Sequence, residues 1–106
     1  LPYYSNAHLN RYFMTKGEYS LDKKAAIFAL FAEPNRLKIL RFLQQVASAN
    51  VTDIATEVAM SIACTSHHLQ LLKEQAVVTT KRKGNSIYYA VNKQPFIQEL
   101  LQLLTF

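Results

Sequence analysis

A change of hydrophobic period inside a chain with few breakers constrains this fold more than any other feature. Only two glycines and three prolines occur in 106 residues. From about Ser20 to Gln75 the apolar residues recur at helical spacing. The runs VVTTKRK and SIYYAV then place β-branched and aromatic residues on either side of Lys83-Gly84-Asn85-Ser86, and from Gln94 the helical spacing returns. The order is helix, helix, short helix, helix, hairpin, helix, a mainly α chain of the α+β kind.

Local signals place the boundaries. Ser20 is a natural N-cap, with Asp22 in the first turn, for a helix whose Phe28 and Phe31 share a face. That helix stops before Pro34, because the residue ahead of a proline is pushed out of the helical region. Pro34 then suits the first turn of a second helix, about 34–47, with Leu37, Ile39, Leu40, Phe42 and Leu43 as its apolar stripe. Asn50 with Asp53 opens a short helix over VTDIATEV, turning Ile54, Ala55 and Val58 inward. Ser61 caps a fourth, in which Ile62, Thr65, Leu69 and Leu72 line one side. The last helix runs from Gln94 to Phe106, with Ile97, Leu100, Leu101 and Leu104 in register. Residues 1–19 hold Tyr3, Tyr4, Tyr12, Phe13 and Tyr19 without a period and are expected to form a tail or a helix extension ahead of a single domain over 20–106. The chain opens at Leu1 rather than a methionine, which leaves room for a short preceding segment.

Composition narrows the function classes. Hydrophobic residues make up 50% and charged residues 18%, a balance that can pack one core. The longest apolar run, Ala25 to Ala32, is well under the roughly 20 residues of a membrane-spanning helix, so no membrane partner is expected. The net charge is +5, of which +3 lies between Ser61 and Asn92, and this asymmetry points to an anionic partner, nucleic acid first. The single cysteine, Cys64, makes no internal disulfide, in keeping with a reducing, cytoplasmic setting. The sequon Asn50-Val51-Thr52 is read as chance, since no secretory signal accompanies it. No glycine-rich phosphate loop, carboxylate pair or nucleophile with its base is visible, which argues against an enzyme.

The two central helices form a helix-turn-helix and the hairpin after them a wing, so the chain reads as a winged helix-turn-helix. The helix after Ser61 fits a DNA major groove, and Ala63, Ser66, His67 and Gln70 form its polar face. Thr65 and Lys73 on the same helix complete the expected double-stranded DNA-binding set there. On the wing, Lys81, Arg82, Lys83 and Asn85 are placed to follow the phosphate backbone.

The segments PNRLKILRFL, VTDIATEVAMSIACTSHHLQLLKEQAVV and KRKGNSIYYAV carry a resemblance. Over about residues 24–104 the chain resembles the ArsR/SmtB family of bacterial winged-helix transcriptional regulators. The most specific parts are the Pro34 to Leu40 opening, the Ser66-His67-His68-Leu69 box and the Arg82-Lys83-Gly84 to Tyr88-Tyr89 wing. The resemblance implies a homodimer built by the first and last helices, bound to an operator of twofold character and repressing transcription until an inducer intervenes. That inducer is unknown. Four departures qualify it. Asn50 and Thr52 stand where many members carry a Cys-Val-Cys metal site, and Lys93 and Pro95 where others carry metal ligands, so no metal or cofactor is expected. Ile62 replaces a common glutamine after the capping serine. Gln75-Ala76 replaces a glycine, so a left-handed helix stop there would carry strain of order 1 kcal/mol.

Several residues admit two readings. His67 is taken as DNA-facing. His68, four residues from Cys64, could share half a zinc site, but packing or surface explains it more simply. Cys64 is a candidate redox thiol near a helix start, set against a small packed residue. Ile62 is read as core rather than as a contact to a thymine methyl, because it continues the Leu69 stripe. Of Tyr88 and Tyr89 one is expected in the core. Ile27, Phe28 and Phe31 with Ile97, Leu100, Leu101 and Leu104 are expected to form the dimer interface, setting two recognition helices about 34 Å apart. Besides a repressor, an activator or anti-repressor and a protein-interaction module with the same fold remain open.

Overall fold

Each helix begins where a side chain takes up a free backbone amide. The computed structural model describes residues 19–105; segment 1–18, most of the expected tail, and Phe106 lie outside the described residues. Helix α1, Leu21–Phe31, starts with Lys23 N donating to Ser20 Oγ at 3.2 Å. Helix α2, Pro34–Gln45, has Pro34 in its first turn, and Arg36 N donates to Glu33 Oε2 at 2.9 Å. After strand β1, Ala49–Asn50, helix α3 spans Val51–Val58, with Asp53 N donating to Asn50 Oδ1 at 2.9 Å. Helix α4, Ile62–Glu74, opens with Cys64 N donating to Ser61 Oγ at 3.0 Å. Strands β2, Val78–Lys83, and β3, Ser86–Val91, make the hairpin, and α5, Pro95–Gln102, closes the chain behind its cap Gln94. These five helices and one small sheet are a winged helix-turn-helix.

The sheet has three strands where two are expected from sequence. Its order is β1-β3-β2, antiparallel throughout, with Ala49 opposite Tyr89 and Asn50 opposite Tyr88. Asn50 therefore does two jobs: its backbone extends the sheet and its side chain starts α3. At the hairpin tip only Gly84 of the two turn residues has positive φ, +61°, as a II′ turn requires.

The core lies between α2, α3 and α4 and is closed by the sheet and by α1 and α5. Ile39, Leu40, Leu43, Ile54, Leu69, Leu72, Val77 and Val78 are all buried, together with Ile27, Ile97 and Leu101. The last three correct the expected dimer interface. Ile27, Ile97 and Leu101 already lie inside a single chain, because α5 folds its stripe back onto α1 and α2, and they have no surface left to give a partner. Gln44 Nε2 holds that arrangement by donating to Leu101 O at 2.9 Å. The closing helix is also shorter than expected. Leu103, Leu104 and Thr105 donate to the carbonyls of Leu100, Leu101 and Gln102, a tightening to i→i−3 bonds that ends the helix before Phe106.

Helices α3 and α4 end alike. Met60 N donates to Ala55 O and Val77 N to Leu72 O, and the residues between, Ala59 and Ala76, have φ of +57° and +56°. This is the Schellman stop, with alanine in the left-handed position that favours glycine. The strain expected at Gln75-Ala76 thus falls on Ala76, and Ala59 carries a second instance. Left-handed alanine costs about 1–2 kcal/mol, whereas glycine loses about 0.4–1 kcal/mol through the unfolded chain. Ala76→Gly is therefore expected to stabilise the fold by about 0.5–1 kcal/mol, raising the melting temperature by several degrees in circular dichroism.

Candidate nucleic-acid interface

The orientation of α4 follows from its one buried stripe. Thr65, Leu69 and Leu72 face inward, and the opposite side exposes Ala63, Ser66, His67, Gln70 and Lys73. Of the residues expected to touch DNA on this helix, Thr65 is misplaced. It is fully buried, three residues after the helix start and directly above Leu69, so no groove can reach it. Its Oγ1 has no hydrogen-bond partner among the described residues.

Two further residues depart from their expected environments. Ile62 is 53% exposed rather than in the core: although it continues the Leu69 stripe by period, it sits at the first helical position and projects past the end of the packed layer. Cys64 is exposed too, on the flank of α4, and not packed beneath it.

His68 is held rather than free. Its Nδ1 lies 3.4 Å from Arg36 Nη1, and its Nε2 3.9 Å from Glu33 Oε2. Arg36 is itself anchored, its Nε donating to Leu30 O at 2.8 Å. The Glu33 carboxylate thus starts α2 and faces α4, two roles that no sequence signal marks, since glutamate is an uncommon cap. Burial pushes its carboxyl upward. The amides of Arg36 and Asn35 and the charges of His68 and Arg36 outweigh this and hold its pKa below the ordinary value. His67, one residue earlier, points outward, its ring centroid 6.0 Å from that of His68.

The wing presents its cations on both faces. Strand alternation puts Lys81 and Lys83 with Tyr88 on the outer face, whereas Arg82 pairs with Ile87 on the other, beyond the core at the tip. Lys83 Nζ lies 5.2 Å from the Tyr88 ring centroid. Tyr89, on the inner face, packs against the core, and Lys81, Arg82, Lys83 and Asn85 are all exposed. Asn92 fixes the base of the wing: its Nδ2 donates to Ala76 O at 2.7 Å, its N donates to Val77 O at 2.9 Å, and its Oδ1 accepts from Gln94 N at 2.9 Å. The polar face of α4 and a cationic hairpin are thereby rigidly placed on one body. No helix among the described residues is long and apolar enough to cross a membrane.

Two expected outcomes test this geometry. Thr65→Val removes a buried, unpaired hydroxyl and is expected to raise stability by about 1 kcal/mol in denaturant titration, leaving DNA affinity unchanged. Glu33 has a lowered folded pKa, so its contribution is complete above the ordinary glutamate value and is lost as pH falls through the lowered one. Thermal melts over the acid range should show that loss in the wild type and a shallower one in Glu33→Gln.

Known proteins share this arrangement. Residues 33–80, from the cap of α2 into β2, match the family described as bacterial regulatory protein, arsR family. The transcriptional repressor SdpR of Bacillus subtilis is 34% identical over 80 residues, covering 76% of this chain and 88% of that protein. The crystal structure of the transcriptional repressor PagR of Bacillus anthracis superposes with a TM-score of 0.72 at 30% identity, over 80% of this chain and 95% of the other. The homodimeric winged helix-turn-helix DNA-binding domain of Mb0332 from Mycobacterium bovis gives a TM-score of 0.70 at 29% identity, over 85% and 86%. This chain belongs to the arsR family of bacterial regulatory proteins, a family of DNA-binding transcriptional regulators and not of enzymes.

Proposed function

We propose that this chain is a homodimeric, sequence-specific repressor that binds an operator in double-stranded DNA within the cytoplasm. The observation that carries the reading is the exposed Ser66, His67 and Gln70 face of α4 beside the exposed cations of the wing. Hydroxyl, imidazole and carboxamide groups can bond to base edges, whereas lysines and Arg82 supply contacts to phosphate that carry no sequence information. The names of SdpR and PagR favour repression.

Dimerisation is argued from exposed apolar surface, and Mb0332 is described as homodimeric. Leu21 is 83% exposed, Phe28 52% and Leu103 69%, all on α1 or the end of α5. Phe28 meets Phe96 edge-on at 5.7 Å, which joins the two helices into one surface. The proposed interface is Phe28 with Leu21 and Leu103, flanked by the half-buried Phe31, Leu100 and Leu104. Phe28→Glu is expected to leave monomers in sedimentation and to lose specific DNA binding.

The signal that releases the operator is proposed to act without metal at the two positions family members use. Asn50 Oδ1 is committed to the start of α3, Thr52 offers only a hydroxyl, and Lys93 and Pro95 offer no soft or anionic donor. Zinc and chelators are expected to leave affinity unchanged.

Selection from random duplexes, followed by binding titrations against salt, tests the reading. Ser66→Ala and His67→Ala are expected to weaken binding to the selected sequence by roughly 1–3 kcal/mol each while sparing nonspecific binding. Replacing Lys81, Arg82 and Lys83 by alanine should weaken both and lower the salt slope by about one for each phosphate left without its cation. Micromolar binding without sequence preference would overturn the proposal in favour of a protein-interaction module.

A further inference from the structure

We propose that Ile62 is a specificity-determining residue that reads a thymine through its C5-methyl group. The inference rests on the DNA-binding reading above and extends it to a named base. Five large hydrophobic residues among the described ones are exposed: Leu21, Phe28, Ile62, Ile87 and Leu103. Leu21, Phe28 and Leu103 belong to the α1–α5 surface, and Ile87 to the wing tip beside Arg82. Ile62 alone stands on the helix that presents Ser66 and His67, and half of its surface is left uncovered by its own chain.

Its position narrows what could cover it. Ile62 is the first residue of α4, directly after the cap Ser61, and Ser66 follows one turn later on the same side. The first turn of a recognition helix is the part that comes nearest to base edges. Groove-facing chemistry there is mostly polar: among the groups displayed in the major groove, the thymine C5-methyl is the one alkyl group, cytosine offering only a C5 hydrogen at that place. A branched aliphatic side chain, unable to donate or accept a hydrogen bond, gains from that methyl and gains nothing from a guanine or adenine edge. Local backbone preference does not explain the residue either, because β-branched side chains are mediocre helix formers. The small Ala63 beside it leaves room for the approach.

The experiment uses the full chain and the duplex obtained by selection. Each thymine of the preferred sequence is replaced in turn by deoxyuridine, which keeps pairing and every hydrogen-bonding group and removes only the methyl. At one position per half-site the wild type is expected to lose affinity by about threefold to fivefold, the worth of one buried methyl. Ile62→Ala, whose folding circular dichroism verifies and whose position needs no burial, is expected to bind the thymine duplex more weakly and to respond equally to both bases. Sensitivity at no position overturns the inference, as does sensitivity that survives in Ile62→Ala. A selection that returns no preferred sequence instead removes the specific-binding reading itself, so the two failures are told apart.

Discussion

The whole arrangement depends on the burial of one narrow stripe of α4. Leu69 and Leu72 are fully enclosed, against Ile39, Leu40 and Ile54, and each is worth roughly 1.5–3 kcal/mol relative to exposure. Turning the helix by a single residue would bring Ser66 or Gln70 into the core and push leucine into water. The penalty, several kcal/mol, is a large share of the stability of a domain this size. The outward face is thus determined by what the inward face must bury, and the polar residues are presented without any interaction of their own to aim them.

Much of this was legible because the deciding physics is local. Ser20, Asn50 and Ser61 accept the amides three residues ahead, and Gly84 takes the positive φ that the hairpin turn demands. What escaped a reading by residue type needed the third dimension. Strand β1 is two residues long, too short for a period, and exists only because β3 lies beside it. Period puts Ile62 and Thr65 on one stripe with Leu69 and Leu72, and as a polar residue of this helix Thr65 also joined the expected DNA-binding set; the packed layer stops between the two, so Thr65 is buried and Ile62 is not. Ile97 and Leu101 share a stripe with Leu100 and Leu104, but one sequence cannot say which of its apolar residues a helix turns toward its own chain and which remain at the surface.

Polar groups connect the helices beneath the exposed polar face of α4. Glu33 and Arg36, at the start of α2, hold His68 of α4 between them, and Lys23 Nζ donates to Gln75 Oε1 at 3.0 Å, linking α1 to the end of the same helix. The middle and the C-terminal end of α4 are therefore tied to neighbours by side chains as well as by packing. The two left-handed alanines follow the same logic: each helix stops where its next residues, Met60 and Val77, must turn toward the core, and the strain at Ala59 and Ala76 is outweighed by the burial that follows.

The short strand β1 settles how freely the hairpin can diverge. It fastens β3 to the helical body through peptide groups opposite Tyr88 and Tyr89, and any residue except proline supplies those groups. Mounting and tip are consequently separate. The tip can exchange its charges, length or aromatic content over evolutionary time and stay held at the same angle, so that the surface it offers changes while its anchorage does not.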